Sequence, residues 1–117
     1  MSLLSYYSDE SRPWGTPERF TSNEATTVKI LHVLPNKRFS LQKHSKRSEY
    51  WRVIEGSGTA TVGTEERAVS KGDVIEIPAG TLHRLSGSDE GISVLEISFG
   101  EYDENDIERM EDDFGRT

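Results

Sequence analysis

What most limits the folds open to this chain is its rhythm of short apolar runs broken by turn-forming residues. Val28 to Val33, Tyr50 to Ile54, Thr59 to Val62, Arg67 to Val69, Val74 to Ile77 and Ile92 to Phe99 each have strand character. In the first of these both alternating faces carry apolar groups, as in a strand inside a sandwich or barrel. Between the runs lie Pro35-Asn36, Glu55-Gly56-Ser57-Gly58, Gly63 to Glu66, Lys71-Gly72-Asp73 and Pro78-Ala79-Gly80. Glycine, proline and asparagine supply the dihedral angles that tight turns need, and Asn36 suits a left-handed position. The Gly56-Ser57-Gly58 stretch predicts a hairpin between Tyr50 to Ile54 and Thr59 to Val62. Many short strands with regular turns predict an all-β sandwich or barrel.

The two ends depart from this rhythm. Residues 1 to 11 lack an apolar pattern and are expected to be a flexible N-terminal segment, leaving 12 to 117 as a single domain. Arg12-Pro13-Trp14-Gly15 reads as a turn, with Trp14 plugging one end of the core. From Asp103 the apolar residues Ile107, Met110 and Phe114 fall on one helical face, with acidic residues in the first turn and Gly115 at the stop. That pattern predicts a short C-terminal helix packed on the barrel.

With 117 residues and a net charge of −7, the chain is too acidic for a general nucleic-acid binder, because such binding rests on Lys and Arg neutralising phosphates. It has no apolar run of about 20 residues, so no membrane span is expected. The absence of cysteine rules out thiolate chemistry and fits a cytoplasmic protein. Lys37, Arg38, Lys43, Lys46, Arg47 and Arg52 crowd one region, which a small anion would exploit, whereas Glu101 to Asp113 is mostly acidic and reads as a solvated face. A small β-domain also has sheet edges to cover, and a two-fold homodimer is the expected solution.

Within the basic region Gln42 and His44 are two residues apart, so on a strand both point to one side. Glu49 has the wrong parity to join them on a straight strand, and a turn at Ser45 to Ser48 must re-aim it. His83 follows a strand and the Pro78-Ala79-Gly80 turn. Gln42, His44, Glu49 and His83 form a mixed nitrogen and oxygen donor set for one divalent ion, with zinc favoured over Mn, Fe, Co or Ni. His32 has no such company and is read as structural. Glu96 is an acid on an apolar strand, either buried with a partner beside the ion or turned outward.

Ser40-Leu41-Gln42-x-His44-x-x-Arg47-x-Glu49-x-Trp51, followed by Ile77-Pro78-x-Gly80-x-x-His83-Arg84, resembles the paired motifs of the cupin superfamily. Within it the chain resembles the type II mannose-6-phosphate isomerase domain, the C-terminal part of mannose-1-phosphate guanylyltransferase fusions, from Arg12 to Arg116. The resemblance implies a double-stranded β-helix, or jelly-roll barrel. It implies a metal-dependent aldose–ketose isomerase that interconverts mannose 6-phosphate and fructose 6-phosphate. Arg47, Arg84 and Arg12 are then the expected phosphosugar contacts, with Arg47 foremost because guanidinium pairs bidentately with phosphate. Lys29, which also reads as a surface lysine, joins Lys46, Tyr50 and water at the ion as candidates for the proton-transfer group. Histidines that the family places around the first motif are replaced here by Ser45, Lys46 and Tyr50. The alternative is a stand-alone metal-binding cupin that acts on or senses another sugar or anion without catalysis.

Overall fold

Every regular element is a β-strand in the structure, a computed structural model that describes residues 3 to 117. In chain order these are β1 (Thr26–Val33), β2 (Leu41–Lys43), β3 (Arg47–Val62), β4 (Glu65–Ser70), β5 (Val74–Ile77), β6 (His83–Gly100) and β7 (Glu108–Glu111). All pairings between them are antiparallel. No helix among the described residues is long and apolar enough to cross a membrane.

β3 and β6 are long and bent, and each runs through both halves, a first and a second sheet, of one continuous seven-stranded sheet. The later half of β6 pairs with β1 on one side and with the first half of β3 on the other, and β5 lies beyond β3. The early half of β6 pairs with β2 and with the last residues of β3, flanked by β7 and β4. The expected hairpin at Gly56-Ser57-Gly58 is therefore a continuous strand. Register shifts between Val53 and Glu55 and between Gly56 and Gly58 bend β3 without reversing it, as bulges do.

Between the two layers lies an apolar core of Trp51, Val53, Ala60, Val69, Ile75, Ile77, Leu85, Ile92 and Val94. A second cluster covers the outer face of the first sheet, where Leu4 packs with Tyr50 and Ile97, and Phe20 leans on them. The N-terminal segment thus supplies a buried residue, although Met1 and Ser2 lie outside the described residues. Trp14 does not plug the core. It is 76 % exposed, and Leu4 and Phe20 cover that surface instead.

The predicted C-terminal helix is absent, and β7 stands in its place, paired with β2. Met110 and Phe114, its intended apolar face, are exposed. The backbone of Glu108–Glu111 gains more by closing the open side of the three-residue β2 than a short solvent-facing helix gains from its own hydrogen bonds. Asn36 adopts the left-handed conformation expected of it, at φ 59°.

The bend of β3 brings backbones into contact. A Cβ at Gly56, where φ is +78°, would press directly on the carbonyl of Gly91, whereas one at Gly72, where φ is +95°, meets nothing. Gly72→Ala should cost about 1–2 kcal/mol from the left-handed backbone alone. Gly56→Ala should cost clearly more, because it adds steric overlap in a packed interior. Urea denaturation of both variants measures the difference, and equal losses would show that the contact is not rigid.

Candidate metal centre

β2 ends just before His44, a bend follows at Ser45 and Lys46, and β3 starts at Arg47. This bend restores the parity that Glu49 needs. Asp106 fixes it: Ser45 N and Oγ donate to one carboxylate oxygen at 3.0 and 2.7 Å, and Lys46 N to the other at 2.9 Å. Those bonds from Ser45, then from Lys46, hold the Asp106 carboxyl at about 2. Gln42 lies opposite His83 on β6 and opposite Arg109 on β7. Cross-strand neighbours share a face, so these three side chains form one row.

His44, Glu49 and His83 are all buried and offer ligand atoms within 4.8 Å of one another. His83 Nδ1 donates to Thr81 O at 2.9 Å, and His44 Nδ1 to Asp106 O at 2.7 Å. Each main-chain carbonyl leaves a bare lone pair on the opposite ring nitrogen. His83 Nε2 lies 3.1 Å from Glu49 Oε1, and His44 Nε2 lies 3.7 Å from it. Among the described residues neither Glu49 oxygen nor His83 Nε2 has a hydrogen-bond partner. Lone pairs facing each other in a dry interior are unfavourable until a cation sits between them. Burial lowers the His44 pKa, so a proton is a poor substitute there.

Two imidazole nitrogens and a carboxylate match the ligands of catalytic zinc sites, with positions left open. The residues present therefore fit a divalent ion. Gln42 can add a fourth donor. Its Nε2 lies 3.3 Å from His44 Nε2, while Oε1 accepts from Ser40 Oγ at 2.6 Å. Turning the amide by a half-rotation would aim the oxygen at the centre and let nitrogen donate to Ser40.

Above the centre opens a cavity of about 310 Å³. Glu96, only 3 % exposed, is turned inward to this cavity. Trp51 Nε1 donates to its Oε2 at 2.9 Å, and Lys29 Nζ lies 3.6 Å from its Oε1. Burial, then the nearby charge of Glu49, raises the Glu96 carboxyl to about 7. For Glu49 burial acts upward too, but the adjacent His83 imidazole and the neighbouring Glu96 carboxyl bring it down to about 2. Without an ion, the proton of this carboxyl pair thus rests on Glu96. Lys29 is no simple surface lysine, since it also donates to Tyr102 Oη at 2.9 Å.

Other sequence candidates lie elsewhere. Tyr50 faces the outer cluster with Leu4 and Ile97, because it alternates with Glu49 and Trp51. Lys46 is half exposed and points to Glu101 at 3.8 Å. Arg84 alternates with His83 and is held by Phe39 O and Glu111 at 3.0 and 3.1 Å. Arg12 is exposed beside Glu10. Arg47 does line the cavity, but it is enclosed, stacked 4.4 Å from the Tyr102 ring centre. Sequence reasoning passed over Tyr102, Ile107 and Arg109, which reach the cavity from the C-terminal segment. The period-two spacing of Ile107 and Arg109 was the available signal.

Zinc should therefore stabilise the fold. At a free concentration of about 100 times Kd, binding adds about 2.7 kcal/mol, so thermal denaturation should shift upward by several degrees. His83→Ala should abolish that shift, and a variant that keeps the full zinc response would exclude His83 as a ligand.

The family model for the C-terminal region of mannose-6-phosphate isomerase matches residues 2–112. The xanthan biosynthesis protein XanB of Xanthomonas campestris pv. campestris is 35 % identical over 91 % of this chain and 23 % of its own length. The alginate biosynthesis protein AlgA of Pseudomonas aeruginosa is 34 % identical, with 91 % and 22 % covered. The mannose-1-phosphate guanylyltransferase ManC of Salmonella typhimurium is 33 % identical over the same shares. The chain thus spans less than a quarter of the length of these relatives. Among solved structures, the capsular polysaccharide assembling protein CapF of Staphylococcus aureus superposes with a TM-score of 0.67 at 20 % identity, over 90 % of this chain and 34 % of that one. A cupin protein of Bacteroides fragilis gives 0.60 at 19 % identity, over 71 % and 75 %. The chain belongs to the mannose-6-phosphate isomerase C-terminal family and folds as a cupin.

Proposed function

We propose that this chain is a metal-dependent aldose–ketose isomerase of a phosphosugar, interconverting mannose 6-phosphate and fructose 6-phosphate in the cytoplasm with zinc as the ion. The observation that carries the reading is one cavity in which His44 and Glu49 stand beside the inward-turned pair of Lys29 and Glu96, with His83 buried against Glu49. Relatives named for xanthan and alginate biosynthesis and as a mannose-1-phosphate guanylyltransferase support sugar chemistry.

His44, Glu49 and His83 would hold the ion, with Gln42 beside them; when bound it polarises the sugar carbonyl and the adjacent hydroxyl. Glu96 moves the proton between C1 and C2. Its Oε2 is anchored by Trp51, while its Oε1 makes no hydrogen bond, and a carboxyl that can both take and return a proton serves either direction. Lys29, 3.6 Å from that oxygen, balances the charge that develops. Tyr102 holds Lys29 in place and covers Arg47, which excludes water from that side.

An isomerase assay on the zinc-loaded protein tests this, read as interconversion and as uptake of solvent deuterium at C2 of mannose 6-phosphate. Glu96→Gln should lower kcat about 10²- to 10⁴-fold with zinc content unchanged. A zinc-loaded wild type that neither interconverts the sugars nor exchanges deuterium would leave only a non-catalytic sugar-binding cupin.

The same reading includes a two-fold homodimer through β1. Among the described residues this strand pairs with β6 alone; Val28 and Ile30 on it, and Leu34 just past its end, are 56 %, 48 % and 66 % exposed. An apolar edge of this kind invites pairing with a second copy. Light scattering should give a dimer at micromolar concentration and a monomer for the double variant Val28→Lys, Ile30→Lys. A monomeric wild type would count against it.

A further inference from the structure

We infer that Arg109, from the C-terminal strand, is the residue that recognises the phosphate of the sugar, an assignment that rests on the phosphosugar reading above. The cavity has four cationic side chains, Lys29, Arg47, Arg109 and Arg116. Three are already committed. Lys29 is bonded to Tyr102 and faces Glu96. Arg47, 6 % exposed, donates Nη1 to Asp103 O at 3.2 Å, and its Nε lies 3.5 Å from Glu49. Arg116 is gripped by both oxygens of Asp112, at 2.6 and 3.2 Å.

Arg109 differs. Among the described residues its side chain has no hydrogen bond or ion pair, and its Nε is shut off from water. A guanidinium nitrogen withdrawn from water without an acceptor is costly, and a bound anion supplies the acceptor. Direction agrees with this need. Arg109 stands in the row His83, Gln42, Arg109 across three adjacent strands. Strands lie about 4.8 Å apart, so the base of Arg109 sits roughly 10 Å from that of the ligand His83. A sugar whose C1 and C2 react at the ion carries its 6-phosphate at the far end of the carbon chain. The row places a planar, bidentate cation toward that end. Glu104 shares the cavity lining but is exposed, so water screens its charge.

Calorimetry of the zinc-loaded protein with mannose 6-phosphate, mannose and inorganic phosphate decides the matter. The wild type should prefer mannose 6-phosphate to mannose. Arg109→Ala should lose roughly 10- to 150-fold in affinity for mannose 6-phosphate and little for mannose, with zinc content unchanged. Arg109→Lys should recover part of the loss. If the wild type shows the preference and Arg109→Ala keeps it undiminished, the assignment falls while the phosphosugar reading stands. If the wild type shows no preference but binds inorganic phosphate in an Arg109-dependent way, the sugar reading falls and the anion site stands. A wild type that binds neither phosphate compound overturns both.

Discussion

The pairing of β3 with β6 is the constraint on which the site depends. Because partners across a ladder share a face, this register fixes two inward rows in the first sheet. One runs from Lys29 through Glu96 and Trp51 to Ile75, and the next sets Ser98 beside Glu49 and Ile77. One step further along the strands the partners are Leu31, Val94 and Val53, all apolar. A polar mouth therefore sits directly on a dry floor, and a slip of one residue would exchange the two faces. The second sheet answers with His83, Gln42 and Arg109.

Such a mouth is expensive to build. Glu49 and Glu96 are 1 % and 3 % exposed, and two carboxylates so near each other cannot both be charged without compensation. The chain supplies part of it through Lys29 and Arg47 and shares a proton for the rest. A divalent cation at His44, Glu49 and His83 would free that proton's site, because positive charge beside Glu49 relieves the repulsion felt by Glu96. Ion binding and the readiness of Glu96 to accept a proton are then one electrostatic event.

Much of this was legible in the sequence. The spacing of Gln42 and His44, the required bend before Glu49 and the turn before His83 led to three residues that the structure brings together. Alternating patterns found β1 and the later half of β6, whose ends moved by a residue or two, and the run Val74 to Ile77 is β5 with both ends unchanged. Other features were hidden for physical reasons. Gly56 and Gly58 look the same in sequence whether they make a turn or a bulge, and only the partner backbone at Gly91 and Ser86 distinguishes them. Glu96 and Lys29 had two open readings because the register across β1 and β6 is not a local property. Arg12 and Arg84 matched a family pattern and Tyr50 stood where that pattern has a histidine, yet strand alternation turns Arg84 and Tyr50 away from the cavity and Arg12 lies outside it.

The C-terminal segment shows why local helical spacing lost. Asp103 O accepts from Arg47, Asp106 O accepts from His44 Nδ1, and the Asp106 carboxylate holds the bend before β3. In a helix, main-chain carbonyls are taken by amides four residues further on, so Asp106 O would already be engaged. His44 would then lose the partner that fixes its tautomer. The turn and extended chain leave Asp106 O available instead, and through it the segment before the last strand orients a ligand of a centre that it does not itself ligate.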